Sequence, residues 1–257
     1  MSLPRSITTL LILLSSTPAL ATTYEPARIG EHETSIAKRI NFPDIEGDFT
    51  KFIRCEAKVL QGGSIDEVGC YHDKDVDEAF YFAVDNAAQG ASVTPAKVDG
   101  ENVSLLMLFS VVFRQQGDER VIAVLPNHGT NAQELGMSYI APQKYGRSNT
   151  YTPRTELGLL WIDAEMSSEG QPRKVQYLET DWSNREDKRY AKSYVKDCTF
   201  IPGHINGEPA AMRFVKPIFG FRNGFMWQKI GSKCGNSSLS FDDISRTTGR
   251  PRFVFDD

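Results

Sequence analysis

ASVTPAKVDGENVSLLMLF, residues 91–109, has a counterpart in CTFIPGHINGEPAAMRF, residues 198–214. Each stretch begins with mixed apolar and polar residues and then has a proline. Three further residues follow the proline, and after them come Asp or Asn, then Gly and then Glu. Pro95 aligns with Pro202, and this pair sets the offset between the two stretches. A proline and an Asx-Gly turn at the same offset indicate that the chain was built twice from one unit.

The ungapped alignment at this offset extends over residues 53–103 and contains six identities. They are few, but they fall at turns and at corresponding points of the hydrophobic pattern. This placement predicts a duplicated strand–strand–helix–strand unit, and the alternative is two unrelated α+β segments with similar turns. The identical pairs are Ala57 and Ala164, Gly63 and Gly170, Val68 and Val175, Pro95 and Pro202, Gly100 and Gly207, and Glu101 and Glu208.

Two cysteines are equidistant from Gly62-Gly63, within predicted strands at residues 52–60 and 64–71. Double glycine suits the positive φ angles of a two-residue hairpin turn, which would place these cysteines opposite each other. An even number of cysteines, four, suggests two disulfides, and free buried thiols are the alternative. The expected bonds are Cys55–Cys70 and Cys198–Cys234.

A helix is predicted next, over residues 75–90. Asp75 can cap its first turn, with Glu78 three residues on, and Gly90 can end it. Residues 102–114 then form an apolar strand. The apolar face of the helix follows three- and four-residue steps and comprises Phe80, Ala83, Val84, Ala87, Ala88 and Ala91.

The second unit repeats this order. Its predicted strands are residues 157–166, 172–179 and 210–222, and Pro217 favours an edge position or an early end for the last one. Its predicted helix, residues 183–198, begins with a Ser–Glu capping box. The helix face that matches the first one is formed by Tyr190, Ala191, Tyr194, Val195 and Cys198.

The N-terminal stretch MSLPRSITTLLILLSSTPALA has one basic residue, a short apolar run and the small-x-small pattern Ala19-Leu20-Ala21. These features predict a secretory signal that is cut after Ala21. A membrane anchor is the alternative, but the apolar run is too short to span roughly 30 Å of hydrocarbon. The net charge of −4, without a basic block, excludes an obvious nucleic-acid or acidic-membrane surface.

The repeated pattern resembles the C-terminal domain of the TonB family and, less closely, that of TolA. In the first unit the resemblance is carried by GGSIDEVGC, AFYFAVDNAAQGASVTPAKVDGENV and FSVVF; in the second, by EGQPRKV, YAKSYVKDCTFIPGHINGEP and FGF. It is confined to these two units and leaves the rest of the chain unmatched. It implies two tandem β-β-α-β units of the α+β class, related by a pseudo-twofold axis and stapled by disulfides, which bind partners by strand pairing.

The departures from that family limit what the resemblance implies. An energy transducer keeps a membrane helix and a Pro-rich spacer, whereas this chain has a predicted cleavable signal and no Pro-rich stretch in residues 22–48. The predicted organisation is a signal peptide (1–21), an N-terminal extension (22–48), a first unit (49–118), an inter-unit segment (119–155), a second unit (156–224) and a C-terminal tail (225–257). We expect an envelope protein as partner, no nucleic acid and no stable membrane insertion.

Catalytic or metal-binding chemistry is not indicated. Four scattered histidines and the absence of hydrolase, redox, metal or phosphate motifs predict no catalytic, cofactor or metal residues. The segment GEHE (30–33) is interpreted as a solvated stretch, and His204 as a surface turn residue. The acidic cluster at the first helix start suits the helix dipole and consists of Asp73, Asp75, Asp77 and Glu78.

The inter-unit segment is the least regular part of the sequence. RVIAVLP, residues 120–126, is predicted to form an added strand. QKYGRSNTYTPRT, residues 143–155, is predicted to be a polar loop that recognises a partner through Tyr145 and Tyr151, or a mere connector. The expected function is therefore an exported, non-catalytic binding or scaffold module. The alternative is a hydrolytic or other enzyme with a site assembled from loops.

Overall fold

The computed structural model describes residues 21–70, 76–145, 159–178, 195–196 and 198–219. The described chain is mostly antiparallel β structure with short helices. The helices are α1 (Ile36–Arg39), α2 (Glu78–Ala88) and α3 (Ala132–Leu135). The strands are β1 (Tyr24–Glu25), β2 (Phe49–Val59), β3 (Ile65–Cys70), β4 (Ala96–Val98), β5 (Glu101–Val103), β6 (Leu105–Gln116), β7 (Glu119–Leu125), β8 (Gln143–Tyr145), β9 (Leu159–Met166), β10 (Pro172–Leu178), β11 (Thr199–Ile201), β12 (Gly203–Ile205), β13 (Glu208–Ala210) and β14 (Met212–Phe219).

The largest sheet has six strands in the order β11-β8-β6-β2-β3, with β7 also paired to β6. Strand β6 is long enough to hold two partners on one side, β7 at Ser110–Gln116 and β8 at Leu105–Leu106. The predicted added strand in RVIAVLP is therefore confirmed as β7. The predicted loop at residues 143–155, in contrast, begins as strand β8 in the middle of this sheet.

A second sheet has the order β10-β9-β14, and two smaller groups of strands are β1-β4-β5 and β12-β13. Among the described strands, β14 lies at the edge of its sheet, which is one of the two outcomes that Pro217 predicts, and its ladder with β9 runs to Phe219. The predicted N-terminal extension also contains regular structure, since β1 pairs with β4 and α1 contacts α2.

The hairpin between β2 and β3 differs from the predicted two-residue turn. Only Gly63 has a positive φ, 85°, and Leu60 N donates to Ser64 O, which leaves a three-residue loop at residues 61–63. A loop of that length alone would not place Cys55 opposite Cys70. A register shift between Lys58 and Val59 moves the ladder by one residue and restores the pair.

The cysteines Cys55 and Cys70 are bonded, with their Cα atoms 4.0 Å apart, so this predicted disulfide is confirmed. Cys198 is also disulfide-bonded. Cys234 lies outside the described residues, and the Cys198–Cys234 bond stays a prediction.

Helix α2 begins later than predicted. Its N-cap is Asp77, whose carboxylate accepts from Ala79 N at 2.8 Å, and not Asp75, which lies outside the described residues. Gly90 follows the helix with a φ of 73°, as expected of a helix end. The predicted apolar face is confirmed: Phe80, Val84, Ala87, Ala88 and Ala91 are buried, and Ala83 packs against them.

Two hydrophobic cores follow from this arrangement. The first lies between α2 and the face of β2 and β6 that carries Ile53, Phe109 and Val111. The second is formed by β9, β14, Val195 and Cys198. Leu108 lies on the opposite face of the six-stranded sheet and belongs to the second core. Through this residue the six-stranded sheet contacts the second core as well as the first. The other predicted residues of the second helix face, Tyr190, Ala191 and Tyr194, lie outside the described residues.

Candidate functional site

Strand β7 gives the large sheet a long, largely apolar edge. Residues Val121–Leu125 are all apolar and all half-buried, whereas Glu119 and Arg120 are exposed. Within the described residues, β7 pairs with β6 alone. An edge strand of this length and composition is a template for another strand, because its outer row of N–H and C=O groups can extend the ladder.

The hairpin geometry indicates which groups face outward. The turn Gly117-Asp118 leaves Gln116 opposite Glu119 as the closing pair, which is hydrogen-bonded in a two-residue hairpin. Because facing and outward residues alternate, the N–H and C=O groups of Arg120, Ile122 and Val124 point away from β6. The side chains of Ile122 and Val124 pack against the first core, which holds this edge in place.

The edge of β14 is protected, in contrast to that of β7. The side-chain amide of Asn131 donates to Arg213 O at 2.8 Å, and its oxygen accepts from Arg213 N at 3.0 Å. Pro217 further along the strand has no N–H. These two features blunt β14 as a docking edge.

A loop with buried polar residues, 126–139, connects β7 to the rest of the molecule; Asn127, His128 and Asn131 are buried in it, whereas residues 136–138 are exposed. Asn127 donates to the carbonyls of Met137 and Tyr139, both at 2.8 Å, and accepts from Gly129 N at 2.8 Å. Ser110 Oγ donates to Asn127 O at 2.7 Å. With its polar groups satisfied in this way, Asn127 can be fully buried without a large cost.

His128 lies inside this loop and is 4% exposed. Its Nε2–H donates to Cys55 O at 2.7 Å, and its own carbonyl accepts from Arg54 Nε at 3.3 Å. The pKa of His128 is lowered to about 3: burial is the largest cause, the charges of Arg54 and Lys216 act in the same direction, and the hydrogen bond to Cys55 O opposes the shift. The imidazole is therefore neutral and serves as a structural donor.

A buried charge cluster joins the two sheets. Lys216 of β14 donates to Glu56 of β2, and both side chains are less than a tenth exposed. Lys144 of β8 lies beside them, 5% exposed. Burial holds the pKa of Lys144 well below its usual value, and the charge of Lys216 acts in the same direction, whereas Glu56 opposes it.

Of the two histidines expected at the surface, one is exposed and the other is buried. His32 is exposed, as predicted for GEHE, and its Nε2 lies 2.9 Å from Ser92 Oγ. His204 is 2% exposed and bonds through Nδ1 to Pro202 O at 2.9 Å, so the surface prediction is wrong. It forms an isolated antiparallel bridge with Ile140, which precedes strand β8 in the chain. Burial lowers the pKa of His204.

Nucleophile, base and orienting acid are not brought together in the described part of the chain. The hydroxyl of Ser92 contacts His32 and also Thr34 Oγ1 at 2.7 Å, but no described carboxylate bonds to that imidazole. Among the same residues no three His, Cys, Asp or Glu side chains gather as a metal site. Of the predicted acidic cluster, Asp77 caps α2 and Glu78 begins it; Asp73 and Asp75 lie outside the described residues.

Tyr145 has a different place from the one predicted. It is half-buried in β8, its ring lies 6.5 Å from that of Tyr24, and it packs against the first core. Burial, with a further contribution from Tyr24, raises its pKa to about 12. Tyr151 lies outside the described residues, so its recognition role stays a prediction.

Sequence reasoning missed the polar contacts that organise these sites. Glu56 and Lys216 are 160 residues apart, and Gln143 bonds to Ala27 N and O at 2.8 Å across 116 residues. No local pattern marks such pairs. The one available signal is a charged residue within an apolar stretch, as Lys216 is within residues 214–219.

Comparisons with known proteins do not add an identification. No protein-family model matches the chain, and neither curated proteins nor solved structures give a match. In the described residues, no helix has both the length and the hydropathy that a bilayer span requires. What is established is a mostly antiparallel β protein with one defined cross-strand disulfide.

Proposed function

We propose that this protein is an exported, non-catalytic binding or scaffold module that pairs the outer edge of β7 with a strand of another envelope protein. The observation that carries the proposal is the apolar edge at Val121–Leu125, with outward backbone groups at Ile122 and Val124. Strand addition needs no catalytic residues, because main-chain hydrogen bonds supply affinity and side-chain pockets supply specificity.

We further propose that the chain contains two tandem units resembling the TonB C-terminal domain. Strand order supports this: β3-β2-β6 in the first sheet corresponds to β10-β9-β14 in the second. Register supports it as well: Val59 pairs with Leu105, and Met166 pairs with Met212, which are the equivalent positions when Pro95 is aligned with Pro202. Both hairpins also have a register shift near the turn.

The turn glycines give a third, independent support. A Cβ on Gly63 would lie 2.3 Å from Val93 O, and a Cβ on Gly170 would lie 2.1 Å from Phe200 O. Both glycines have positive φ, 85° and 74°. The same close approach of a hairpin to the segment before the proline thus recurs at the same offset in the second unit.

The contact between the units favours a head-to-tail relation over the expected pseudo-twofold one. Glu56 and Leu108 lie on the face of the first sheet opposite α2, whereas Lys216 lies on the core-facing side of the second sheet with Phe214. A twofold axis would bring like faces together. Unlike faces are in contact here.

Export is supported by the disulfide, because such bonds persist in oxidising compartments outside the cytosol. The periplasm is the compartment that the TonB-like pattern implies. The predicted cleavage after Ala21 is consistent with this location and is tested by sequencing the mature N-terminus.

Strand addition is tested by photo-cross-linking in cells. A photoreactive phenylalanine analogue is placed at Ala123 of β7 and, as a matched control, at Ala79 of α2, which is also half-buried. We expect a discrete adduct from Ala123 and none from Ala79. Ile122→Pro removes an outward N–H and should abolish the adduct.

Hydrogen exchange then tests the mode of binding. In the complex with the cross-linked partner, the amides of Arg120, Ile122 and Val124 should exchange more slowly. Adducts of equal yield from Ala123 and Ala79, or protection confined to other elements, would contradict the proposal.

A further inference from the structure

The outer face of the second sheet forms a polar groove of about 520 Å³. Strands β10, β9 and β14 make its floor, and the segment Thr130–Glu134 makes one wall. Its volume is within the range of small-ligand sites. The corresponding face of the first sheet is covered, since Glu56 and Leu108 meet the second core there.

The wall of the groove is rigid. Two hydrogen bonds from the side-chain amide of Asn131 to the backbone of Arg213 attach the wall to β14. In addition, Asn131 N donates to the buried Tyr139 hydroxyl at 3.1 Å. A groove with such a wall exists before a ligand arrives, so little ordering is needed on binding.

Most of the charges in the groove neutralise each other. Arg213 makes a bidentate pair with Asp163, both bonds at 2.8 Å, and Lys174 pairs with Glu165 at 2.9 Å. Two lining charges remain without an ion pair to any described residue, the guanidinium of Arg173 and the carboxylate of Glu134. They have opposite signs.

These two charges lie on opposite sides of the groove. Arg173 is on β10, and Glu134 is on the wall that is fastened to β14, with β9 between. Neighbouring strands are about 4.8 Å apart, so β10 and β14 are separated by roughly 10 Å. The wall lies just beyond β14, and both Arg173 and Glu134 line the space between. An extended chain rises about 3.3 Å per residue, and three residues span that distance.

From this geometry we propose that the groove binds a short zwitterionic peptide of about three residues, with its carboxylate at Arg173 and its ammonium at Glu134. The side chains of Gln133 and Gln176, both exposed in the groove, supply amide donors and acceptors for the peptide backbone. This site is separate from the β7 edge and does not depend on it.

The test is a titration of the full mature chain with trialanine, followed by calorimetry and by amide chemical shifts. Trialanine should bind, and its shifts should map to the groove. Dialanine, which is too short to reach both charges, and trialanine with a blocked amino or carboxyl end should each bind at least tenfold more weakly.

The variants Arg173→Gln and Glu134→Gln should each weaken trialanine at least tenfold while leaving the circular dichroism spectrum unchanged. Each should also lose the preference for the end that it recognises. The matched controls are Lys38→Gln and Glu31→Gln, an exposed ion pair at α1; they should bind like the wild type. No binding of trialanine, equal binding of the blocked peptides, or equal losses in the controls would overturn the proposal.

Discussion

The side-chain amides of Gln143 and Asn131 form the pair of hydrogen bonds that the backbone of a neighbouring strand would otherwise form. Gln143 bonds to Ala27 N and O, and Asn131 bonds to Arg213 N and O. In each case one donor and one acceptor satisfy backbone groups on a side where no described strand pairs with that residue. Single residues thus complete the edges of two sheets, and each joins segments that are distant in sequence.

The pH dependence of stability should depend on His128. Its pKa is about 3 in the folded protein and about 6.5 in the unfolded chain, so between these values only the unfolded chain binds the proton. The free energy of unfolding should therefore fall as the pH falls below 6.5, by up to about 1.4 kcal/mol per pH unit from this residue. His128→Gln keeps a donor for Cys55 O but cannot titrate.

Urea unfolding at several pH values between 4 and 8 measures this effect. His128→Gln should have a shallower pH slope than the wild type below pH 6.5. The two slopes should agree at pH 7 to 8, where His128 is neutral in both states. An unchanged slope in the variant would assign the proton uptake to other groups, His204 first, because burial also lowers its pKa.

At the scale of single elements, the local sequence of helix α2 specifies its buried face, whereas the local sequence of the β2–β3 hairpin does not specify its register. The helix face follows its period closely, so its buried residues could be predicted one by one. The hairpin register could not, because it depends on a bulge at Lys58 and Val59 as well as on the turn. The Cys55–Cys70 pairing was right although the assumed turn was one residue too short.

Close packing of α2 on its sheet depends on small side chains. Ala87 is 4% exposed, and Ala87→Leu should overpack the core at a cost of about 1–3 kcal/mol. Asn86→Leu places the same side chain on the exposed face of the same helix and should change stability by less than about 0.5 kcal/mol. Urea unfolding compares the two, and equal effects would mean that the helix does not pack as described.

At the scale of the whole molecule, the two sheets are joined by a buried charge cluster, in which Lys216 pairs with Glu56 and Lys144 lies beside them. Glu56→Gln removes the carboxylate beside Lys216 and Lys144, and we expect a loss of about 3–5 kcal/mol, as for a broken buried pair. Glu165→Gln breaks the exposed pair with Lys174 and should cost less than about 1 kcal/mol.

The double variant Glu56→Gln/Lys216→Met tests whether the charge itself is responsible. It should recover part of the stability lost in Glu56→Gln, because Met removes one of the two buried ammonium groups beside that position. Urea unfolding of the single and double variants gives the coupling energy. Additive losses would show that Glu56 and Lys216 stabilise the fold independently.

The sequence by itself determined the local features: the strands on either side of Gly62-Gly63, the buried face of α2, the added strand β7 and the recurrence that aligns Pro95 with Pro202. These are encoded in the alternation of strands, the period of helices and the chemistry of turns, which act over short distances. A period shows which face of an element is apolar, but not which surface will cover it.

Only the tertiary structure decided the rest. Strand β8 joins β6 to β11, Asn127 and His128 are buried although they are polar loop residues, and His204 is covered although it lies beside a turn. Each of these depends on hydrogen bonds or packing with a distant segment, as in the pair Glu56–Lys216. Such partners satisfy a buried polar group wherever they lie in the chain, and so they leave no periodic trace in the sequence.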